Sequence, residues 1–395
     1  MSNLSDYIDW RGDISFAVDP FNEVDNLVFS FLVYAHFGGI VPGPDCKHTI
    51  SMQKLHDLFF AKHKDTEFEN ATEAAYTAPL LLHKMVHAER YQDVKVTGYV
   101  SHTDEETQVQ FACMTYILPD GTNFIAFRGT DHTIVGWKED FNMSFLYKTP
   151  GQIMAAEYLN KNFKYTRRKL RIGGHSKGGN FAVFAGAFCA PSIQKKILDI
   201  YSNDGPGFRE QLLADRGYQR IVPKIHRIVP EQSVVSMMFE SHAEKQVIVS
   251  AADGLLQHDM ITWQVCRNRI VPSENGISDQ SLRFQKTFQN WLSELDEETR
   301  KMFVDELFGL LATEQRRGVL TIDDLIQNPT QTIRVLSKNI GAVKEEHQEM
   351  FKEVLRKLAI SGKDTMKDSI LDTVTKSVNN SRRKKTLTNN KKTKK

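Results

Sequence analysis

Residues 169–190 read Lys-Leu-Arg-Ile-Gly-Gly-His-Ser-Lys-Gly-Gly-Asn-Phe-Ala-Val-Phe-Ala-Gly-Ala-Phe-Cys-Ala, which is a short apolar strand, a glycine cluster around one serine, and an apolar helix. Few folds can use such a segment. A strand that turns straight into a helix brings the two backbones close together, so the flanking positions, Gly174 and Gly178, must be small. The residue at the apex, Ser176, is forced into a strained conformation. Its hydroxyl then projects above the end of the sheet, where the helix N-terminus favours developing negative charge.

The surrounding pattern predicts a layered α/β fold. Residues 23–90 read as mainly helical, and Asn26 to His36 is apolar nearly all round, which predicts a buried segment. Between 94 and 128, Val94, Val96, Val109, Phe111, Ile117, Phe124 and Ala126 alternate with polar residues, and Asp120-Gly121 suits a tight turn. Three antiparallel strands are expected there. Beyond residue 151, helices at 153–163 and 178–190 alternate with strands at 169–174, 196–202, 224–229 and 246–250, the signature of a parallel sheet with helical crossovers. The fold class is therefore α/β, a mixed, mostly parallel sheet flanked by helices. From about 281 the strand pattern stops. Phe303, Leu307, Leu310 and Leu311, and then Val343, Met350, Phe351, Val354 and Leu358, recur at helical spacing. The expected organisation is one α/β domain over 1–280, a helical C-terminal region over 281–375 and a disordered basic tail over 376–395.

The chain has 395 residues, 41% hydrophobic and 25% charged, a composition that excludes a fibrous or largely disordered protein. Its longest uninterrupted apolar run, Phe181 to Ala190, is far shorter than the roughly 18 residues of a membrane span. The first residues do not resemble a signal peptide, and Cys46, Cys113, Cys189 and Cys266 form no CxxC pair, so reduced thiols and a cytoplasmic location are expected. The net charge of +2 is unevenly placed: residues 376–395 hold nine Lys or Arg and no acid, leaving 42 basic against 49 acidic residues elsewhere.

Gly174-His175-Ser176-Lys177-Gly178 matches G-x-S-x-G in the strand–turn–helix context that gives the pattern meaning. A serine hydroxyl needs a histidine base, and the histidine needs an acid, in the chain order serine, acid, histidine. His258 follows the last expected strand in a loop, which makes it the candidate base. His242, one strand earlier, is the alternative; His226 lies within a strand and His347 in the distal helical region. Asp204, at the end of a strand and before Gly205-Pro206-Gly207, is the candidate acid. Glu231, just after the next strand, is the alternative. Asp259 adjoins His258, a spacing at which two side chains seldom meet productively. For the oxyanion, the backbone N–H of Lys177 is one expected donor. The turn Phe127-Arg128-Gly129-Thr130, ending an earlier strand, supplies Thr130 as the other.

Together these residues resemble the class 3, or fungal-type, lipases of the α/β-hydrolase superfamily. The matching segments are Phe127-Arg128-Gly129-Thr130, Gly136-Trp137-Lys138-Glu139-Asp140-Phe141 and Gly174-His175-Ser176. The resemblance implies an α/β-hydrolase fold, with Thr130 as oxyanion residue, Asp140 as a structural support and the segment leading to Trp137 as a lid. Residues 20–270 also look like a bacterial lipase-like family of unestablished function, through Phe21-Asn22-Glu23-Val24-Asp25-Asn26-Leu27, Asn203-Asp204-Gly205-Pro206-Gly207-Phe208, and Gln257-His258-Asp259 with Trp263. Two departures stand out. Class 3 lipases carry their acid just before a Val-Pro-like segment, but here Pro230-Glu231-Gln232-Ser233-Val234-Val235 has serine at that place, which turns the choice of acid toward Asp204. Lys177 replaces the usual small or apolar residue.

The expected activity is cleavage of a carboxylic ester or thioester, from a small ester or lipid, by Ser176, Asp204 and His258. The alternative is a hydrolase-fold protein without turnover that serves as a binding module. No cofactor is implied. His83 and His87 are four apart, yet no HExxH pattern or third ligand accompanies them, and no phosphate-binding loop is present. The basic tail is a candidate contact for anionic membrane or nucleic acid, with a solvated terminus as the alternative.

Overall fold

A computed structural model of the chain describes residues 2–64, 67–68, 74–130, 134–316, 335–336, 338–349 and 351–352. The basic tail and the expected packing positions Met350, Val354 and Leu358 lie outside the described residues.

The chain divides into two compact units, 1–131 with 147–282 and 132–146 with 283–395. The first holds an eight-stranded sheet in simple sequential order: β1 (Ile50–Ser51), β2 (Lys95–Asp104), β3 (Val109–Ile117), β4 (Thr122–Phe127), β5 (Lys169–His175), β6 (Ile197–Asn203), β7 (Ile225–Pro230) and β8 (Lys245–Ile248). β1 to β4 pair antiparallel, and β4 to β8 pair parallel. The change of direction falls at β4. Every residue of that strand is buried, as expected of a central strand covered on both faces. The β3–β4 hairpin turns at Asp120-Gly121. Gly121 takes φ +83°, and the Asp120 carboxylate accepts from the Thr122 N–H at 2.8 Å and its hydroxyl at 2.6 Å.

Helices follow the strands for local reasons. Thr149 caps the helix Pro150–Phe163 in a reciprocal box with Gln152, and Pro150 fills its first turn. The helix Lys177–Phe188 starts directly from β5 and is buried over its first eleven residues. The apolar stretch near the N-terminus is the helix Glu23–Leu32, buried from Val24 onward, with Asn22 and Asp25 forming its capping box. The motif Phe21 to Leu27 anchors that helix. Glu23 accepts from the Ile270 N–H at 2.7 Å and from Gln246 on β8 at 3.0 Å. Asp25 receives both Nε (2.7 Å) and Nη2 (2.5 Å) of the buried Arg90.

Two elements escape the sequence reading. β1 pairs two residues at the sheet edge, and a small hairpin joins Val265–Cys266 to Arg269–Ile270. Both are too short for periodicity to register.

In the second unit the helix Ile134–Asn142 packs on the helix Glu297–Arg316. Phe141 meets Phe308 edge to face at 5.4 Å, and Lys138 pairs with Asp305 at 2.7 Å. The Arg300 guanidinium donates to the Ser144 carbonyl, and His347 bonds Glu306 at 2.6 Å. The segment 132–146, read from sequence as part of the first domain, thus groups with the C-terminal helices. Among the described residues no helix is long and apolar enough to cross a membrane.

Candidate active site

Ser176 sits between β5 and the helix Lys177–Phe188 with φ +56° and ψ −132°, a backbone conformation that non-glycine residues rarely adopt. The surroundings hold it there. Its N–H donates to the Asn203 carbonyl at 2.9 Å, and its carbonyl accepts from the Gly179 N–H at 2.9 Å. A Cβ at Gly174 would lie 2.4 Å from the Gly178 carbonyl, and one at Gly178 would lie 2.1 Å from the Phe127 carbonyl oxygen. The glycines are a steric requirement of the turn.

Asp204 follows β6 directly, also at positive φ (+48°), and is fully buried. Its Oδ2 lies 2.7 Å from His258 Nδ1. Its Oδ1 accepts from the hydroxyls of Ser233 at 2.5 Å and Ser236 at 2.7 Å. Burial alone would raise this carboxyl. The hydrogen bond and charge of His258, with the two serine hydroxyls, outweigh burial and hold it below the usual carboxylate range. The turn Gly205-Pro206-Gly207 fixes Asp204 relative to Ser176. Asn180, on the helix after Ser176, donates to the carbonyls of Pro206 (3.1 Å) and Gly207 (2.9 Å), and a Cβ at Gly205 would lie 2.9 Å from the Ser176 carbonyl oxygen.

His258 ends a short 3₁₀ turn, Gly254–His258. The fully buried Trp263 donates its indole N–H to the Gln257 carbonyl at 2.8 Å, which explains why Gln257, His258 and Trp263 form one motif. Because His258 Nδ1 faces a carboxylate that can only accept, that nitrogen carries the proton and Nε2 is the basic atom. No hydrogen bond joins the Ser176 hydroxyl to His258.

The structure therefore brings Asp204 and His258 together. It sends the alternatives elsewhere. Glu231 accepts from the Ser273 hydroxyl and from Asn275 at 3.3 Å. His242 bonds Gln219 at 3.0 Å, and His226 bonds Asp199 at 3.1 Å. Asp259 caps the following turn through the Ile261 N–H at 3.1 Å, and burial raises its carboxyl.

The loop after β4 lies against the elbow: a Cβ on Gly129 would come within 3.1 Å of Ser176 Cβ and 2.6 Å of the His175 carbonyl oxygen. Thr130, the next residue, is half-buried. Lys177 is the first residue of its helix, where backbone N–H groups have no intrahelical acceptor. Its side chain is buried, and its ammonium donates to Gln110 at 2.9 Å, so a long polar residue is accommodated where an apolar one is usual. Asp140 lies in the helix Ile134–Asn142 of the second unit.

Sequence reasoning missed His175, Ser233 as a ligand of the acid, Ser236 and Gly129. His175 is buried, with Nδ1 2.9 Å from the Tyr34 hydroxyl and Nε2 2.7 Å from the His258 carbonyl. Burial first, and then the neighbouring His258, lowers it to about 3. The polar residues inside the apolar stretch 26–36 were the available signal.

A mixed, mostly parallel sheet with a strained serine between strand and helix, and a hydrogen-bonded Asp–His pair on the loops after later strands, defines a lipase-like α/β-hydrolase fold. The sequence pattern of the Mbeg1-like family matches residues 85–309, more than half of the chain, and the chain belongs to that family. No curated protein matches it. Among solved structures it is similar to M37 lipase, at 17% identity over 53% of this chain and 68% of that chain, with a TM-score of 0.33.

Proposed function

We propose that the protein is a serine hydrolase that cleaves a carboxylic ester, of a small molecule or a lipid, through an acyl-enzyme. Ser176 is the nucleophile, His258 the base and Asp204 the orienting acid. The observation that carries this reading is the hydrogen bond between the buried Asp204 and the half-buried His258, beside a serine held at φ +56°.

With Nδ1–H held by Asp204, Nε2 of His258 takes the Ser176 proton as Oγ attacks the ester carbon. The carbonyl oxygen becomes an oxyanion, held by the N–H of Lys177 and by Thr130 through its N–H and hydroxyl. The imidazolium then protonates the leaving alcohol, and water repeats the sequence on the acyl-serine. Asp204 stays ionised throughout, and the Ser233 and Ser236 hydroxyls support that state. The chemistry needs no cofactor. Four free cysteines, two of them buried, suit a reducing compartment, and we assign the chain to the cytoplasm.

The alternative, a hydrolase fold without turnover, has one observation in its favour: Ser176 and His258 are not hydrogen-bonded. Such bonds are often long in enzymes without substrate and tighten in the complex. Turnover of p-nitrophenyl esters of graded acyl length separates the two readings. Hydrolysis that disappears in Ser176→Ala and in His258→Gln supports the first. A rate unchanged by both substitutions contradicts it.

A further inference from the structure

From residue 26 to residue 35, the body of the helix Glu23–Leu32 and the turn after it carry three polar residues in an otherwise apolar stretch: Asn26, Ser30 and Tyr34. They are spaced four apart, so a helical backbone stacks them along one face. All three are buried, and a buried polar group is costly unless it is bonded. Their partners are the residues around the proposed nucleophile and base.

Asn26 and Asn203 exchange side-chain hydrogen bonds, Nδ2 of Asn26 to Oδ1 of Asn203 at 2.8 Å and the reverse at 3.1 Å. Asn203 also donates to the Ser30 hydroxyl at 3.2 Å, and Ser30 donates to Asn26 at 3.1 Å. The carbonyl of the same Asn203 receives the Ser176 N–H, and its chain successor is Asp204. Tyr34 bonds His175, which bonds the His258 carbonyl. The polarity of this chain is fixed by chemistry. A carbonyl can only accept, so Nε2 of His175 carries the proton, and Nδ1 of the neutral ring must accept from the Tyr34 hydroxyl. The His175 and His258 rings lie 4.4 Å apart, so a change of His175 tautomer or rotamer would displace His258 directly.

We propose that the stripe Asn26–Ser30–Tyr34, acting through Asn203 and His175, positions the backbones of Ser176 and His258. The stripe is N-terminal to residues 85–309, the part of the chain that matches the family. These are positioning residues and touch no reacting atom. The proposal rests on the hydrolase reading, because positioning matters only if Ser176 and His258 react.

The test compares Tyr34→Phe, His175→Leu and His175→Gln with the full-length wild type. Gln is chosen because its amide can still donate to the His258 carbonyl, whereas Leu cannot. Tyr34→Phe and His175→Leu should lower kcat by about 10- to 100-fold, the cost of a small misplacement of reacting groups, with KM within about twofold. His175→Gln should recover at least tenfold over His175→Leu. The second readout is the downfield proton resonance of the His258 Nδ1–H bonded to Asp204, assigned by its loss in His258→Asn. It should broaden in Tyr34→Phe and His175→Leu and sharpen again in His175→Gln. This signal needs no turnover, so it reports positioning even where ester hydrolysis fails. Wild-type kcat per folded molecule and an unchanged resonance in His175→Leu and Tyr34→Phe overturn the proposal. Equal losses in Gln and Leu overturn it too, because they would mean that His175 only fills space. Tyr34→Phe, which removes one oxygen, decides the matter if His175→Leu does not fold.

Discussion

The Ser233 hydroxyl donates to Asp204 Oδ1 at 2.5 Å. Ser233 follows β7 and stands where the resemblance to class 3 lipases places the triad acid. Asp204 follows β6, one strand earlier. The two side chains meet through the Asp204 carboxylate. In this chain the position after β7 supplies a hydrogen-bond donor to one carboxylate oxygen of Asp204, whose other oxygen lies 2.7 Å from His258 Nδ1.

Ser233→Ala and Ser236→Ala each remove a donor from a buried carboxylate, a loss of about 1.5–3 kcal/mol for a hydrogen bond to a charged group. They also release the Asp204 carboxyl upward. Its depressed folded value stabilises the protein above the unfolded value of about 3.9, and that stabilisation is lost as pH falls through the folded value. Urea melts between pH 3 and 7 should show both variants losing stability at a higher pH than the wild type.

Asp204→Asn should reduce turnover by roughly 10³- to 10⁴-fold through loss of the histidine's orienting acid. Glu231→Gln should stay within a few-fold, because Glu231 is committed to the loop at 273–275. The exchange Asp204→Ser with Ser233→Asp should recover at least about tenfold over Asp204→Asn, if the two positions are equivalent supports for His258. Steady-state kinetics on one soluble ester tests all three.

Thr130→Val keeps the backbone N–H and the side-chain shape but removes the hydroxyl. If that hydroxyl binds the oxyanion, kcat should fall by about 10²-fold with little change in KM. An unchanged kcat leaves backbone donors alone in the role.

His175→Gln bears on stability as well as positioning. An unfolded histidine takes up a proton below about 6.5, whereas the folded His175 stays neutral until about 3. The unfolded state therefore binds more protons across that window, and the wild type loses stability as pH drops through it, by up to about 1.4 kcal/mol per unit. Gln cannot titrate. Its stability profile between pH 6 and 4 should be flatter than that of the wild type, as read by denaturant melts.

The elbow was legible because its causes are contiguous: strand, glycines, serine and helix fall within 22 residues. The pairing of His258 with Asp204 was legible because chain order and strand ends limit which histidine and carboxylate can come together. The supports were not. Asn26 meets Asn203, and Tyr34 meets His175, across separations in the chain that no local pattern carries. A sequence window sees only an apolar helix with a few polar interruptions. Lys177 looked anomalous because its partner, Gln110, lies far away in the chain, on β3. The grouping of 132–146 with the C-terminal helices was hidden for the same reason: Lys138–Asp305 and Phe141–Phe308 join segments more than 160 residues apart.

The central claim is that Ser176 is an activated nucleophile. Incubation with a fluorophosphonate, followed by intact mass and peptide mapping, tests it most directly. The account predicts one adduct per chain, on Ser176, absent in Ser176→Ala with the fold intact and formed far more slowly in Asp204→Asn. A wild type that forms no adduct, or an adduct that persists in Ser176→Ala, would contradict it.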